Sequence, residues 1–189
     1  NKRSGNNYFE GRYWTYNSIR AWHENDFDYI IINDCSTDNT KTICEDNKYN
    51  VINLPLNLGI GGAVQTGYLY AYTHNYDIAV QLDGDGQHDP SYLNKMLDYM
   101  LQKNADMVIG SRFINRMGFQ SSAARRMGIK YFTFLIRILT GVTISDPTSG
   151  LRMVNRSIIK LFAANYPKDY PEPESAVAIL RQKKKILEM

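Results

Sequence analysis

Asp77-Ile78-Ala79-Val80-Gln81-Leu82-Asp83-Gly84-Asp85-Gly86-Gln87-His88-Asp89-Pro90 is an apolar run that empties into a loop of aspartates and glycines closed by a proline. A short apolar segment bounded by turn residues reads as a buried strand. Asp89 and Pro90 supply a cap and a first position for the helix that follows. In that helix Leu93, Met96, Leu97, Met100 and Leu101 recur at spacings of three and four. They fall on one buried face, with the methionines as core. Upstream, residues 28–33 form a β-branched strand ending in the polar turn 34–39, and Ser36 or Thr37 can cap a helix over 38–47. A strand over 50–54 ends at Pro55, and residues 59–62 lead into a helix over 63–74. Downstream come a strand at 106–110, a long helix at 123–139, a short strand at 151–154 and a helix opened by Tyr170-Pro171-Glu172-Pro173-Glu174. Such alternation predicts an α/β layer structure, a mostly parallel sheet flanked by helices. Residues 1–16 have no strand period and are expected to be irregular. No repeat or linker divides the chain, so a single domain over 1–189 is expected.

The 189 residues are 43% hydrophobic and 22% charged, enough for a real core. A net charge of +3 is too mild for a nucleic-acid partner, although Arg125, Arg126 and Lys130 cluster, as do Arg181, Lys183, Lys184 and Lys185. Cys35 and Cys44 have neither zinc-ribbon spacing nor disulfide density, which suits reduced thiols in the cytoplasm. No signal peptide is visible. The apolar stretch 131–142 contains Arg137 and falls short of the ~20 residues that span a bilayer.

Ligands of open α/β sheets bind at the carboxyl ends of the strands, where Asp83 and Asp85 stand. Two carboxylates separated by a glycine can face one hard cation, and Gln87 offers a further oxygen. Magnesium or manganese held this sparsely keeps positions open for a diphosphate. The alternative is an Asp/Gly-rich turn that only caps a helix, the role expected of Asp89, with His88 as a packing residue. Asp34 ends the Ile-rich strand and can accept a hydrogen bond from the ring N–H of uracil or guanine, or can merely stabilise the helix start. The glycines at 59, 61 and 62 lack dinucleotide-fingerprint spacing, which argues against a nicotinamide cofactor; they let backbone approach a ligand or start a helix tightly. Arg112 and the pair Arg125 and Arg126 can reach a diphosphate or a lipid phosphate. Glu172 and Glu174 carry favourable charge for a helix start.

Ile32-Asn33-Asp34-Cys35-Ser36-Thr37-Asp38, Asn57-Leu58-Gly59, Asp83-Gly84-Asp85-Gly86-Gln87-His88, Gly110-Ser111-Arg112-Phe113 and Asp146-Pro147-Thr148-Ser149-Gly150-Leu151-Arg152 together resemble glycosyltransferase family 2. The nearest branch is the polyprenyl-phosphate sugar transferases, the dolichyl-phosphate mannosyltransferase-like group. The resemblance implies a GT-A fold, a Rossmann-like nucleotide-diphospho-sugar transferase domain, and an inverting transfer from a UDP- or GDP-sugar. It implies that Asp34, Asp83, Gly84, Arg112 and Arg126 serve the nucleotide sugar, and that Asp83, Asp85 and Gln87 serve a divalent metal, Mn or Mg. It also assigns catalysis to the region of Asp85, with Glu172 or Glu174 as the base a hydroxyl acceptor would need. The implied acceptor is a lipid phosphate or a glycan of the cell envelope, met at the cytoplasmic membrane face through peripheral association, with no nucleic acid. The chain departs from the family in three ways. The usual first strand with its Pro-x-Tyr-Asn-Glu-like turn is not recognisable before Asp28. Asn33 and Cys35 stand where Asp and Gly are common. Relatives continue past residues 186–189 into a further strand. Two other readings are a metal-dependent nucleotidyltransferase, for which no basic Gly-rich loop follows the first strand, and a nucleotide-sugar-binding domain without turnover.

Overall fold

The computed structural model describes residues 27–83, 90–111 and 123–189, with all their side chains except those of Pro90 and 123–126. Strand β1 (Ile31–Asn33) is followed by α1 (Thr40–Asp46), β2 (Val51–Asn53), α2 (Gly59–Thr73) and β3 (Ile78–Gln81). A 3-10 turn at Pro90–Tyr92 leads into α3 (Leu93–Lys103) and β4 (Met107–Ile109). Then come α4 (Ala123–Thr140), β5 (Arg152–Asn155), α5 (Arg156–Ala164), α6 (Pro171–Arg181) and β6 (Ile186–Glu188). The expected elements are all present. Helix α5 is an addition, entered through Asn155, whose side chain accepts the Ile158 N–H at 3.2 Å. Such a cap contributes about 1 kcal/mol.

The expected mostly parallel sheet is mixed among the described residues. β1 and β2 pair in parallel, and a four-stranded sheet has the order β3-β5-β4-β6. β5 runs antiparallel to both β3 and β4, whereas β4 and β6 are parallel. The reason is geometric. The segment before β5 crosses the carboxyl ends of β3 and β4, so the chain can only descend between them. Register then sets Arg152 opposite both Gln81 and Ile109.

Alternation along β4 divides the core. Met107 and Ile109 pack with Val64, Tyr68, Ile158, Phe162 and Ile179 of the helices on one face, while Val108 joins Leu93, Met96 and Met100 of α3 on the other. The two α3 methionines are core, as their spacing requires, but Leu101 is 63% exposed, one helical position beyond the buried stripe. Tyr68, Phe162 and Tyr166 interlock α2 with α5, their ring centroids 4.9–5.7 Å apart. Gly61 sits in that contact: a β-carbon there would overlap the backbone of Pro167 and Lys168. The close approach that this glycine permits is to the chain itself.

Candidate donor and acceptor site

At the end of β1, Asn33 donates to Asn53 Oδ1 (2.8 Å) and accepts the Ser36 N–H (3.1 Å), which fixes the turn. Cys35 takes the left-handed conformation (φ 56°), so a turn that suits glycine is made here by cysteine. Neither Ser36 nor Thr37 caps α1. Its first residue, Thr40, instead donates its N–H to Asp38 Oδ1 at 2.9 Å. The turn leaves Asp34 only 2% exposed, with Oδ1 accepting the Leu58 N–H (2.7 Å) and its carbonyl accepting Asn57 Nδ2 (3.2 Å). Two motifs distant in sequence thus meet. Asp34 Oδ2 is buried and makes no hydrogen bond. A buried carboxylate oxygen left in that state is costly.

Asp83 ends β3 on the neighbouring sheet. β1 pairs only with β2 among the described residues, so Asp34 and Asp83 do not stand on hydrogen-bonded neighbouring strands; α2 packs on both strands instead. The Asp83 carboxylate rests on the backbone of Gly150, where an added β-carbon would overlap both its oxygens. The loop beneath is tied down from several sides. Ser149 donates to the Gly110 carbonyl (2.6 Å), and Glu188 of β6 accepts the Ser145 N–H (2.7 Å) and hydroxyl (2.9 Å) and the Asp146 N–H (2.8 Å).

Arg152 is the largest fully buried side chain among the described residues. Its guanidinium donates to the carbonyls of Ser149 (2.9 Å), Pro147 (2.8 Å) and Glu172 (2.7 Å) and to the Ser175 hydroxyl (2.8 Å). It therefore staples the loop under Asp83 to the first turn of α6. The cluster closes with Tyr68 and Tyr166, whose hydroxyls approach Gln81 Oε1 at 3.5 and 3.4 Å. Burial pushes the Tyr166 phenol up; Arg152 opposes this, and the negative charges of Glu172 and Asp83 reinforce it. Tyr68 is raised in the same way, by burial first and then by Tyr166 and Glu172 against Arg152.

The candidates therefore separate. Asp34, Asp83 and Glu172 lie at the carboxyl edges of the strands and at the start of α6, Glu172 half-buried beside Arg152. Glu174, two residues on, is exposed and stands away from the cluster. Gly84, Asp85, Gln87 and Arg112 lie outside the described residues, as does the Arg126 side chain. Among the described residues no group of three or more His, Cys, Asp or Glu could hold a metal. Gly150, Arg152, Gln81 and Tyr166 went unassigned in the sequence, where nothing set Arg152 apart from another strand-end arginine.

Residues 14–162 match the family model for Glycosyl transferase family 2. The chain belongs to that family. It is 30% identical over 178 residues to a UDP-N-acetylglucosamine–dolichyl-phosphate N-acetylglucosaminyltransferase of Methanococcus voltae, covering 83% of this chain and 70% of that protein. It is 28% identical over 138 residues to a polyprenol monophosphomannose synthase of Mycolicibacterium smegmatis, covering 69% of this chain and 52% of that one. These relatives belong to the branch that the motifs resemble. In fold it is similar to a mannosyltransferase from Pyrobaculum calidifontis in complex with GDP-Man and Mn2+, with a TM-score of 0.60, 13% identity and coverage of 92% of this chain and 50% of that one. The fold of this family-2 member is GT-A.

Proposed function

We propose that this family-2 chain is a single GT-A domain that moves a sugar, with inversion, from a UDP- or GDP-sugar to a polyprenyl phosphate. The observation that carries the reading is Asp34: a buried carboxylate at a strand's carboxyl end, with one oxygen held by the Leu58 N–H and the other unbonded. Such an oxygen matches the ring N–H that uracil and guanine share. The similarity to transferases named for dolichyl phosphate and polyprenol supports the lipid acceptor.

In the proposed reaction an oxygen of the lipid phosphate forms a bond to the anomeric carbon. The bond from that carbon to the diphosphate breaks, and the nucleoside diphosphate leaves with the electron pair. The phosphate is already an anion, so no base is required, and positioning with charge stabilisation carries the rate. Arg112 and Arg126 are assigned to phosphate contacts. For a glycan hydroxyl Glu172 is better placed as base than the exposed Glu174. Asp83 suits a hard cation, being a carboxylate braced against Gly150, but it is one ligand. Asp85 and Gln87 would complete the set around Mn2+ or Mg2+. When bound, such a cation neutralises charge on the leaving diphosphate.

Calorimetry with UDP and with GDP, each with and without manganese, tests the donor site. Release of free nucleoside diphosphate from the matching sugar donor, on addition of a polyprenyl phosphate, tests transfer. Absence of affinity for either nucleotide would sink the reading; affinity without release would leave a binding domain.

A further inference from the structure

The pairing of β3 with β5 gathers Gln81, Arg152 and Asp83 on one face of the sheet. Gln81 stands opposite Arg152, and the same register carried two residues on sets Asp83 opposite Gly150, where its carboxylate rests. Residues two apart on a strand point to the same side, so Gln81 and Asp83 are neighbours there. Tyr68 and Tyr166 cover that side. Gln81 is only 5% exposed, and the two ends of its carboxamide fare differently. Oε1 lies between the Tyr68 and Tyr166 hydroxyls, at 3.5 and 3.4 Å. Nε2 is buried and makes no hydrogen bond. A buried donor in that state carries a desolvation cost that methionine, similar in length and volume, would not.

Charge decides which way the amide turns. Each hydroxyl can donate or accept, so the tyrosines alone do not choose which end of Gln81 they meet. The anion on this face does. Burial raises the Tyr166 phenol against Arg152, and Asp83 adds to the rise, so its carboxylate lies near the hydroxyl that touches Gln81. An amide beside a carboxylate turns its NH2 group toward it. Other acceptors around the cluster are engaged, because Arg152 takes the Ser149, Pro147 and Glu172 carbonyls and the Ser175 hydroxyl. Strand neighbours two apart are separated by about 6.6 Å. Two hydrogen bonds through one ordered water, the usual partner of a buried polar group, span about 5.6 Å.

We propose that Gln81 is a positioning residue: through one ordered water its Nε2 holds the Asp83 carboxylate on the Gly150 seat, ready for a diphosphate-bound cation. The proposal rests on the donor reading above, in which Asp83 serves that cation. It also gives Tyr68 and Tyr166 a task, since their hydroxyls keep the amide turned the right way. Calorimetry of UDP and GDP with and without manganese, on the 189-residue chain and its variants, tests it. Gln81→Met keeps the side chain's length and removes the donor. It should cut the manganese-dependent increase in nucleotide affinity about tenfold, as expected for one hydrogen bond to a charged group, and leave the metal-free affinity unchanged. The paired change Tyr68→Phe and Tyr166→Phe keeps Gln81 and both rings but frees the amide, and should give the same manganese-selective loss on a smaller scale. An increase as large in Gln81→Met as in the parent overturns the proposal. So does a metal-free affinity that falls in step with the affinity in manganese, because Gln81 is then a packing residue. If Gln81→Met does not fold, the tyrosine pair decides alone, and an undiminished manganese effect there is equally fatal. A parent whose affinity manganese never changes fails the metal assignment of Asp83 and this inference with it. A manganese effect that survives in the variants fails this inference alone.

Discussion

Replacing Gly150 with alanine places a methyl group inside the Asp83 carboxylate, overlapping both oxygens and the carbon between them. The backbone permits alanine, because Gly150 is not among the residues with positive φ. The closest conflict is therefore with a short side chain at a loop start, which can rotate aside. Moving one χ angle off its well costs about 0.5–1.5 kcal/mol, so the melting temperature should fall by only a few degrees. Catalysis is less forgiving. Displacing a group that orients substrate by about 1 Å costs on the order of 100-fold in rate, or roughly 2.7 kcal/mol of transition-state stabilisation. The assay is kcat/KM with the nucleotide sugar that binds and a polyprenyl phosphate, alongside calorimetry of the nucleoside diphosphate with and without manganese. Gly150→Ala should lose the manganese-dependent part of affinity and about 100-fold in kcat/KM while remaining folded. Unchanged kcat/KM and unchanged metal dependence would refute the idea that the Gly150 seat fixes Asp83. A large drop in Tm would show that the backbone, rather than the carboxylate, gives way.

Asp34→Asn should keep the bond from Leu58 but turn an amine toward a ring N–H, lowering UDP or GDP affinity by about 10- to 100-fold, as expected for a lost charge-assisted bond of 1.5–3 kcal/mol, measurable by calorimetry. Arg152→Met strips partners from three carbonyls and a hydroxyl in the interior and should cost about 3 kcal/mol or more in urea denaturation. Burial pulls the Asp106 carboxyl upward, but the Lys185 N–H, the Asn155 amide and Lys184 outweigh this and hold it below the ordinary value of 3.8. A carboxyl lowered on folding contributes stability above its unfolded pKa and loses it as pH falls through the folded value. Urea midpoints followed downward from pH 6 should therefore decline less steeply below about pH 4 in Asp106→Asn than in the parent, from a lower starting point. Parallel curves would remove Asp106 from the acid response.

The sequence is legible where one residue suffices to define a role. Apolar runs bounded by Asn, Asp and Pro located β1 to β5, and methionine spacing placed α3 against the sheet. Asp34 and Asp83 were found as carboxylates at strand ends, which is a local property. What resisted was anything that depends on a partner far along the chain. The antiparallel sense of β5 follows from where residues 146–151 cross the sheet, not from the composition of Arg152–Asn155. Arg152 looked like any strand-end arginine until Pro147, Ser149, Glu172 and Ser175 assembled around it. Glu172 and Glu174 are chemically alike and two residues apart, so only helix phase could tell the half-buried one from the solvated one. Asp85, Gln87 and Arg112 lie outside the described residues, and their roles remain those implied by the family pattern.

Glu188 sits on β6, the edge strand of the four-stranded sheet among the described residues, yet both of its oxygens grip Ser145 and Asp146, next to the loop that carries Gly150. A tether of that kind makes the far margin of the sheet part of the chemistry's scaffolding. Tags, fusions or surface redesign placed around Ile186–Glu188 would act at a distance on the seat of Asp83, and under the proposed function a neutral-looking change there would register as slow turnover before it registered as instability.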